Sequence, residues 1–145
     1  MQKINIVCVG KIKEDYLRSA TAEYLKRLSR FAKVEIKEIA EGKSIKEEAE
    51  PILKNAKGYK IALCVEGEKL SSERFAAKLK SLTDAGSEIS LIIGSSCGLS
   101  DEVKSSADLK LSFSDMTFPH QLMRVILLEQ VYRAFMINSG SEYHK

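Results

Sequence analysis

The stretch ISLIIGSSCGLSDEVKSSADLKLSFSDMTFPHQLMRVILLEQVYRAFMIN, residues 89–138, decides the fold. It opens on Ile89–Ile93, a continuous apolar run closed by Gly94, which reads as a strand buried on both faces. A short helix over 100–107 follows, then a strand over Leu109–Phe113. Pro119 suits the first turn of a last helix that runs to about Asn138. Working outward toward the N-terminus, Lys60–Val65 and Ile4–Val9 are two more buried apolar runs, whereas Val34–Ile39 alternates apolar and charged residues and has one wet face. Between them, Asp15–Phe31 carries Leu17, Ala20, Tyr24, Leu28 and Phe31 at helical spacing. Ser44 caps a further helix with Glu47 as its capping-box partner, and that helix passes Pro51 only with a kink or a break. Ser71 or Ser72 starts another through Leu82. Strands alternating with helices predict an α/β fold with a mainly parallel sheet and flanking helices.

The chain has 145 residues, enough for one domain with a real core and no staples. Apolar residues make up 44% and charged residues 30%, as in ordinary soluble domains. No segment reads as a signal peptide or a membrane span. Cys8, Cys64 and Cys97 lack CxxC spacing, which argues against a disulfide framework or a metal site and suits the reducing cytoplasm. Net charge is +3 but uneven: residues 1–37 hold nine Lys or Arg against four acids, +5, leaving −2 for the rest. Such a face is either solvated surface or a surface that meets phosphates.

The last helix is apolar around nearly its whole circumference, from Leu122 and Met123 through Val131 to Ile137. One sheet covers only part of such a helix, so a second copy of the chain is expected to cover the rest in a homodimer. Arg124 lies in this apolar setting and therefore needs a partner or a ligand. Glu129 and Arg133, spaced i, i+4, can pair with each other.

Ligands of open parallel sheets collect beyond the carboxyl ends of the strands. Three such ends stand out: Leu63–Gly67, Gly94–Gly98 and Ser112–His120, with Gly94 and Gly98 allowing close backbone approach to a ligand. Neither a dinucleotide fingerprint nor a P-loop is present. Residues 94–98 match G-x-S-x-G, so a hydrolase with Ser96 as nucleophile, His120 or His144 as base and Asp115 or Asp101 as orienter is a competing reading, as is Cys97 as a nucleophile. The tail Tyr143-His144-Lys145 follows Gly140. It reads either as a disordered end whose removal uncovers little core, or as a group that stacks on a base and meets a phosphate.

The strings FSDMTFPHQLMRVILLEQVYRAFMINSGSEYHK (113–145), INIVCVGKIKEDYLRSATAEYLKRL near the start and GEKLSSERFAAKL in the middle resemble the ribosomal large-subunit pseudouridine N3-methyltransferases of the SPOUT superfamily. The resemblance spans essentially the whole chain. It implies a single SPOUT domain over 1–145 with a deep trefoil knot in its C-terminal part, and a homodimer. It implies S-adenosyl-L-methionine as cofactor, held by Leu63, Gly94 and Phe113, Ser114, Asp115, Met116, Thr117 and Phe118. The implied substrate is large-subunit ribosomal RNA within the ribosome, met by the basic surface and by Tyr143 and Lys145. The imide proton of the acceptor base then goes to His144 as general base or directly to solvent, with positive charge from Arg124, Arg133 or Lys145 favouring the anionic base. A non-catalytic RNA- or ribosome-binding protein of the same fold is the alternative. This chain departs from the family at Ser95, where a second glycine is usual, and at Cys64, where an acid is common.

Overall fold

In a computed structural model that describes residues 1–143, five strands and five helices alternate along the chain. The strands are β1 (Gln2–Val9), β2 (Ala32–Ile39), β3 (Tyr59–Lys69), β4 (Ile89–Ile93) and β5 (Leu109–Ser112). The helices are α1 (Asp15–Leu28), α2 (Ile45–Asn55), α3 (Ser72–Asp84), α4 (Asp101–Ser106) and α5 (His120–Asn138). The sheet order is β2-β1-β4-β3-β5, and every pairing is parallel. Each strand-to-strand connection must therefore cross over a face of the sheet, which is what the helices do.

Alternation along the central strands sorts their side chains into two cores. Ile4, Ile6 and Cys8 of β1 join Ile89, Leu91 and Ile93 of β4 on the face covered by α1, α3 and α5. Val7, Val9 and Ile92 face the other way, toward α2 and α4. Serine caps start three of the helices: Ser44, Ser71 and Ser100 accept from the backbone N–H three residues on. The capping box of α2 is reciprocal in part, because the Glu47 carboxylate accepts from the Lys43 N–H at 2.8 Å.

Two expectations change. Helix α2 continues unbroken through Pro51. Proline removes one N–H, which leaves the Glu47 carbonyl without its helical donor, but the apolar stripe of Ala49 and Ile52 keeps both sides of the proline on the core. Strand β3 does not stop at Val65 but runs to Lys69 after a register shift, since Leu63 and Glu68 both pair with Leu111. Residues 64–67 bulge out of the ladder between them.

Arg124 is the largest fully buried side chain, 1% exposed in the middle of α5. Its guanidinium donates to Glu38 Oε2 at 2.8 Å and to the Gly10 carbonyl at 3.1 Å. It thereby ties α5 to the carboxyl ends of β1 and β2. Removing its acidic partner would leave a buried cation unpaired. Glu38→Ala should cost about 3 kcal/mol of stability, whereas Glu38→Gln, which keeps an acceptor, should cost clearly less. Urea denaturation measures both.

Candidate functional site

The three strand ends meet. Leu63–Glu66 of β3, residues 93–96 with Gly98 and Leu99 at the end of β4, and residues 111–114 and 116–118 at the end of β5 line one cleft of about 240 Å³, closed from below by His120 and Met123 at the start of α5. Its walls are mostly apolar, and Met116 and Phe118 stand exposed at its rim. Of the cofactor residues expected by resemblance, Leu63, Gly94, Phe113, Ser114, Met116, Thr117 and Phe118 all line it. Asp115 does not: it points outward to an ion pair with Lys69 at 2.5 Å.

Local rules explain how each wall is placed. A Cβ on Gly67 would lie 2.7 Å from the Leu111 nitrogen, so only glycine lets the β3 bulge fold back onto β5. Gly94 is needed for a related reason. Its Cβ would meet the Gly98 carbonyl oxygen at 2.5 Å, so the close approach it permits is to its own loop. Within that loop the Gly98 N–H donates to the Ser95 carbonyl at 2.9 Å and the Cys97 N–H donates to Ser95 Oγ at 3.3 Å. The serine in the unusual position thus closes the turn with its hydroxyl. In the third wall, Ser112 Oγ donates to the Ser114 carbonyl and Ser114 Oγ accepts from the Met116 N–H, each at 3.0 Å. Among the described residues, 114–118 make no backbone–backbone hydrogen bond, so most of their amides and carbonyls remain free for a ligand over an apolar floor.

The hydrolase reading finds no support here. A nucleophile elbow needs a strained backbone, yet no described residue other than glycine has positive φ. Among the described residues no hydrogen bond links Ser96 to His120, and Asp115 is committed to Lys69. Burial pushes the Cys8 thiol up to about 11, and burial together with Glu66 raises that of Cys64. Both thiols stay protonated at neutral pH.

The remaining expected residues gather elsewhere. Arg133 Nε donates to Glu129 Oε2 at 2.8 Å. Tyr143 donates to Glu129 Oε1 at 2.6 Å, and Tyr24 donates to the same oxygen at 3.1 Å. The Tyr143 ring packs edge-on against Tyr132 with centroids 5.0 Å apart, and the Arg133 guanidinium sits 5.2 Å from its centre. The tail is therefore docked at Tyr143, and its removal uncovers aromatic surface, contrary to the expectation that little would be lost. His144 and Lys145 lie outside the described residues. Along α5, Met123 at the cleft and Arg133 are ten residues apart, roughly 15 Å. Among the described residues, Tyr143 packs beside Arg133 and does not line the cleft.

Sequence reasoning missed two groups. Glu129 serves three partners rather than Arg133 alone, and no spacing rule could link it to Tyr24. Lys104 of α4 reaches Glu66 of the β3 bulge at 2.5 Å, and together they supply the only acid and the only lysine among the described cleft-lining residues.

A family model described as "Predicted SPOUT methyltransferase" matches residues 2–144. The chain belongs to the SPOUT methyltransferase family. Among its relatives is a protein of Bifidobacterium animalis subsp. lactis named Ribosomal RNA large subunit methyltransferase H, 52% identical over 98% of this chain and 99% of the relative. A protein of the same name from Lactobacillus acidophilus is 50% identical over the same shares. In fold, the chain is similar to the crystal structure of a protein assigned to a methylase family from Neisseria gonorrhoeae, with a TM-score of 0.57 at 10% identity, covering 90% of this chain and 82% of that one.

The hydrogen bond to Glu129, followed by burial, pushes the Tyr143 phenol from its ordinary value of 10.0 up to about 12. The neutral phenol is the form the fold prefers. Its contribution to tail docking is complete below pH 10 and is lost as pH rises toward 12. Titration of tyrosinate absorbance should show a late-titrating phenol that disappears in Tyr143→Phe and moves to earlier pH in Glu129→Gln.

Proposed function

We propose that this chain transfers a methyl group from S-adenosyl-L-methionine to N3 of a pseudouridine in large-subunit ribosomal RNA, acting as a homodimer on assembled ribosomes in the cytoplasm. The full-length similarity, at about half identity, to proteins named Ribosomal RNA large subunit methyltransferase H carries this reading. The whole chain, 1–145, is one catalytic domain in this proposal. The trefoil knot that the resemblance implies belongs to the proposal too; its support is that the chain leaves edge strand β5, lines the cleft and returns as α5 packed against α1 and α3.

The cleft fits the cofactor's chemistry. An apolar slot between Leu63, Leu99 and Phe113 suits a purine, and the free backbone groups of 114–118 suit its polar edge. When bound, the cofactor supplies a methyl group on a sulfonium, already a good leaving group, so much of the catalysis is alignment. The protein's own residues hold the acceptor and handle its imide proton. Arg124 is committed to Glu38 and Gly10, so its contribution is to hold α5 in place. Arg133 supplies positive charge near the tail, and His144 accepts the proton, with Lys145 and Tyr143 toward the RNA.

An apolar side of α5 left uncovered by its own chain supports the homodimer in this proposal. Leu122, Val125 and Ile126 are half-buried at i, i+3, i+4 on α5 of a single chain. An isologous contact that runs two such helices antiparallel would cover them and bring one chain's Arg133 and tail beside the other's cleft. The chain should therefore scatter light as a species of twice 16.2 kDa at micromolar concentration. A monomer at that concentration would remove the shared site.

The direct test is labelled S-adenosylmethionine with ribosomes from cells that lack the activity. Label should appear on one pseudouridine of the large-subunit RNA by mass spectrometry. Removing His144 and Lys145 alone, which spares the Tyr143 dock, should lower transfer by about tenfold or more while cofactor affinity and melting temperature stay near wild type. Cys97→Ala should keep full transfer. Ribosome binding with no transfer by the intact protein would replace this reading with a non-catalytic one.

A further inference from the structure

We propose that the Glu66–Lys104 ion pair is the subsite for the amino-acid end of the methyl donor, with Lys104 taking its carboxylate and Glu66 its ammonium; this rests on the cofactor reading above. Among the described residues, the lining of the cleft holds one acid and one lysine, in contact with each other. S-adenosylmethionine has two unlike ends. Its adenosine part needs an apolar slot with a few neutral hydrogen-bonding groups, which the walls around Leu63, Phe113 and 114–118 provide. Its amino-acid end is a zwitterion that carries one charge of each sign, and among the described cleft-lining residues the matching pair of opposite charges is this one. Two such dipoles placed antiparallel satisfy all four charges without stripping either protein group of a partner.

The fold places this pair by two separate constraints. Glu66 sits in the bulge of β3, which exists because Gly67 can lie against the Leu111 backbone. Lys104 projects from α4, whose Val103 is fully buried and whose Ser100 cap fixes the helix start. The Lys104 side chain is three-quarters buried, yet its partner is more than half exposed, so the pair is open to an incoming ligand on one side. Each group holds the other in its charged form: Lys104 draws the Glu66 carboxyl below the usual carboxylate range, and Glu66 raises the Lys104 ammonium. The pair is thus charged at neutral pH, as a zwitterion requires.

Two ligands separate the ends. S-adenosylhomocysteine carries the amino-acid group, and methylthioadenosine has the same adenosine and sulfur without it. Calorimetry on the intact protein should show Lys104→Ala weakening S-adenosylhomocysteine by about tenfold while methylthioadenosine changes less than about twofold. Glu66→Gln should follow the same pattern more weakly, and Lys104→Arg should recover part of the affinity. A melting temperature near wild type in each variant excludes a folding defect, and if Lys104→Ala does not fold, the Arg and Gln variants carry the comparison. Equal losses for both ligands, or no loss for either, overturn the assignment. Failure of the wild-type protein to bind S-adenosylhomocysteine at all overturns the cofactor reading itself, and the subsite with it.

Discussion

Parallel pairing throughout the sheet is the constraint from which the rest of the molecule follows. Parallel neighbours cannot be joined by tight hairpins, so every connection crosses a face and both faces become buried. That is why β1 and β4 are apolar on both sides and why helices cover the sheet above and below. It also sends every strand's carboxyl end to the same side. Because β4, β3 and β5 are neighbours in the sheet order, the segments that follow or interrupt them must share one space. The cleft is a consequence of strand order before any side chain is chosen.

Side chains then decide what that space can hold. Two glycines do the shaping, each by removing a Cβ that would strike backbone: Gly67 against Leu111, and Gly94 against Gly98. The first lets β3 pass the cleft as a bulge and resume pairing beyond it. The second folds the β4 loop back on itself. Between them the Ser112–Ser114–Met116 hydrogen bonds hold the third wall while leaving most of its backbone unspent. An apolar floor under free amides and carbonyls is a general recognition surface for a flat heterocycle, and the charged pair at one side gives it a direction.

Much of this was legible in the residues, for reasons that also explain the gaps. Ile4–Val9 and Ile89–Ile93 are apolar on both faces because they are central, so hydrophobic runs marked them well. The serines at 44 and 71 are local signals and marked the starts of α2 and α3 to within a residue. Strand β3 past Val65 was not legible, since Glu66-Gly67-Glu68 looks like a turn and its pairing depends on Leu111, over forty residues away. Nor was the partner of Arg124. The sequence shows that a buried arginine needs an acid, but Glu38 is one of twenty acids, and only the packing of α5 against the carboxyl ends of β1 and β2 selects it. The loops that line the cleft were legible because they follow the carboxyl ends of parallel strands, where ligands of such sheets gather. Tyr143 was misjudged because a terminal tyrosine after a glycine has no periodicity from which docking could be inferred.

The two charged centres on α5 divide the helix into parts with different tasks. Arg124, in its N-terminal half, is spent inward: its charge is neutralised by Glu38 and its position is fixed by the Gly10 carbonyl, so it sets where the helix lies under the cleft. Glu129 and Arg133, one and two turns further, are spent sideways. One carboxylate gathers Tyr24 from α1, Tyr143 beyond α5 and Arg133 from its own helix, so Tyr143 is held by the same residue that orients Arg133. A carboxylate with three partners from three segments is a geometric reference point, and losing it would free the tail and turn Arg133 together. A helix that is apolar all round could pack in many rotations. These two polar anchors, one facing the sheet and one facing α1 and Tyr143, leave it a single rotation, and that rotation aims Met123 into the cleft and leaves Leu122, Val125 and Ile126 half-buried.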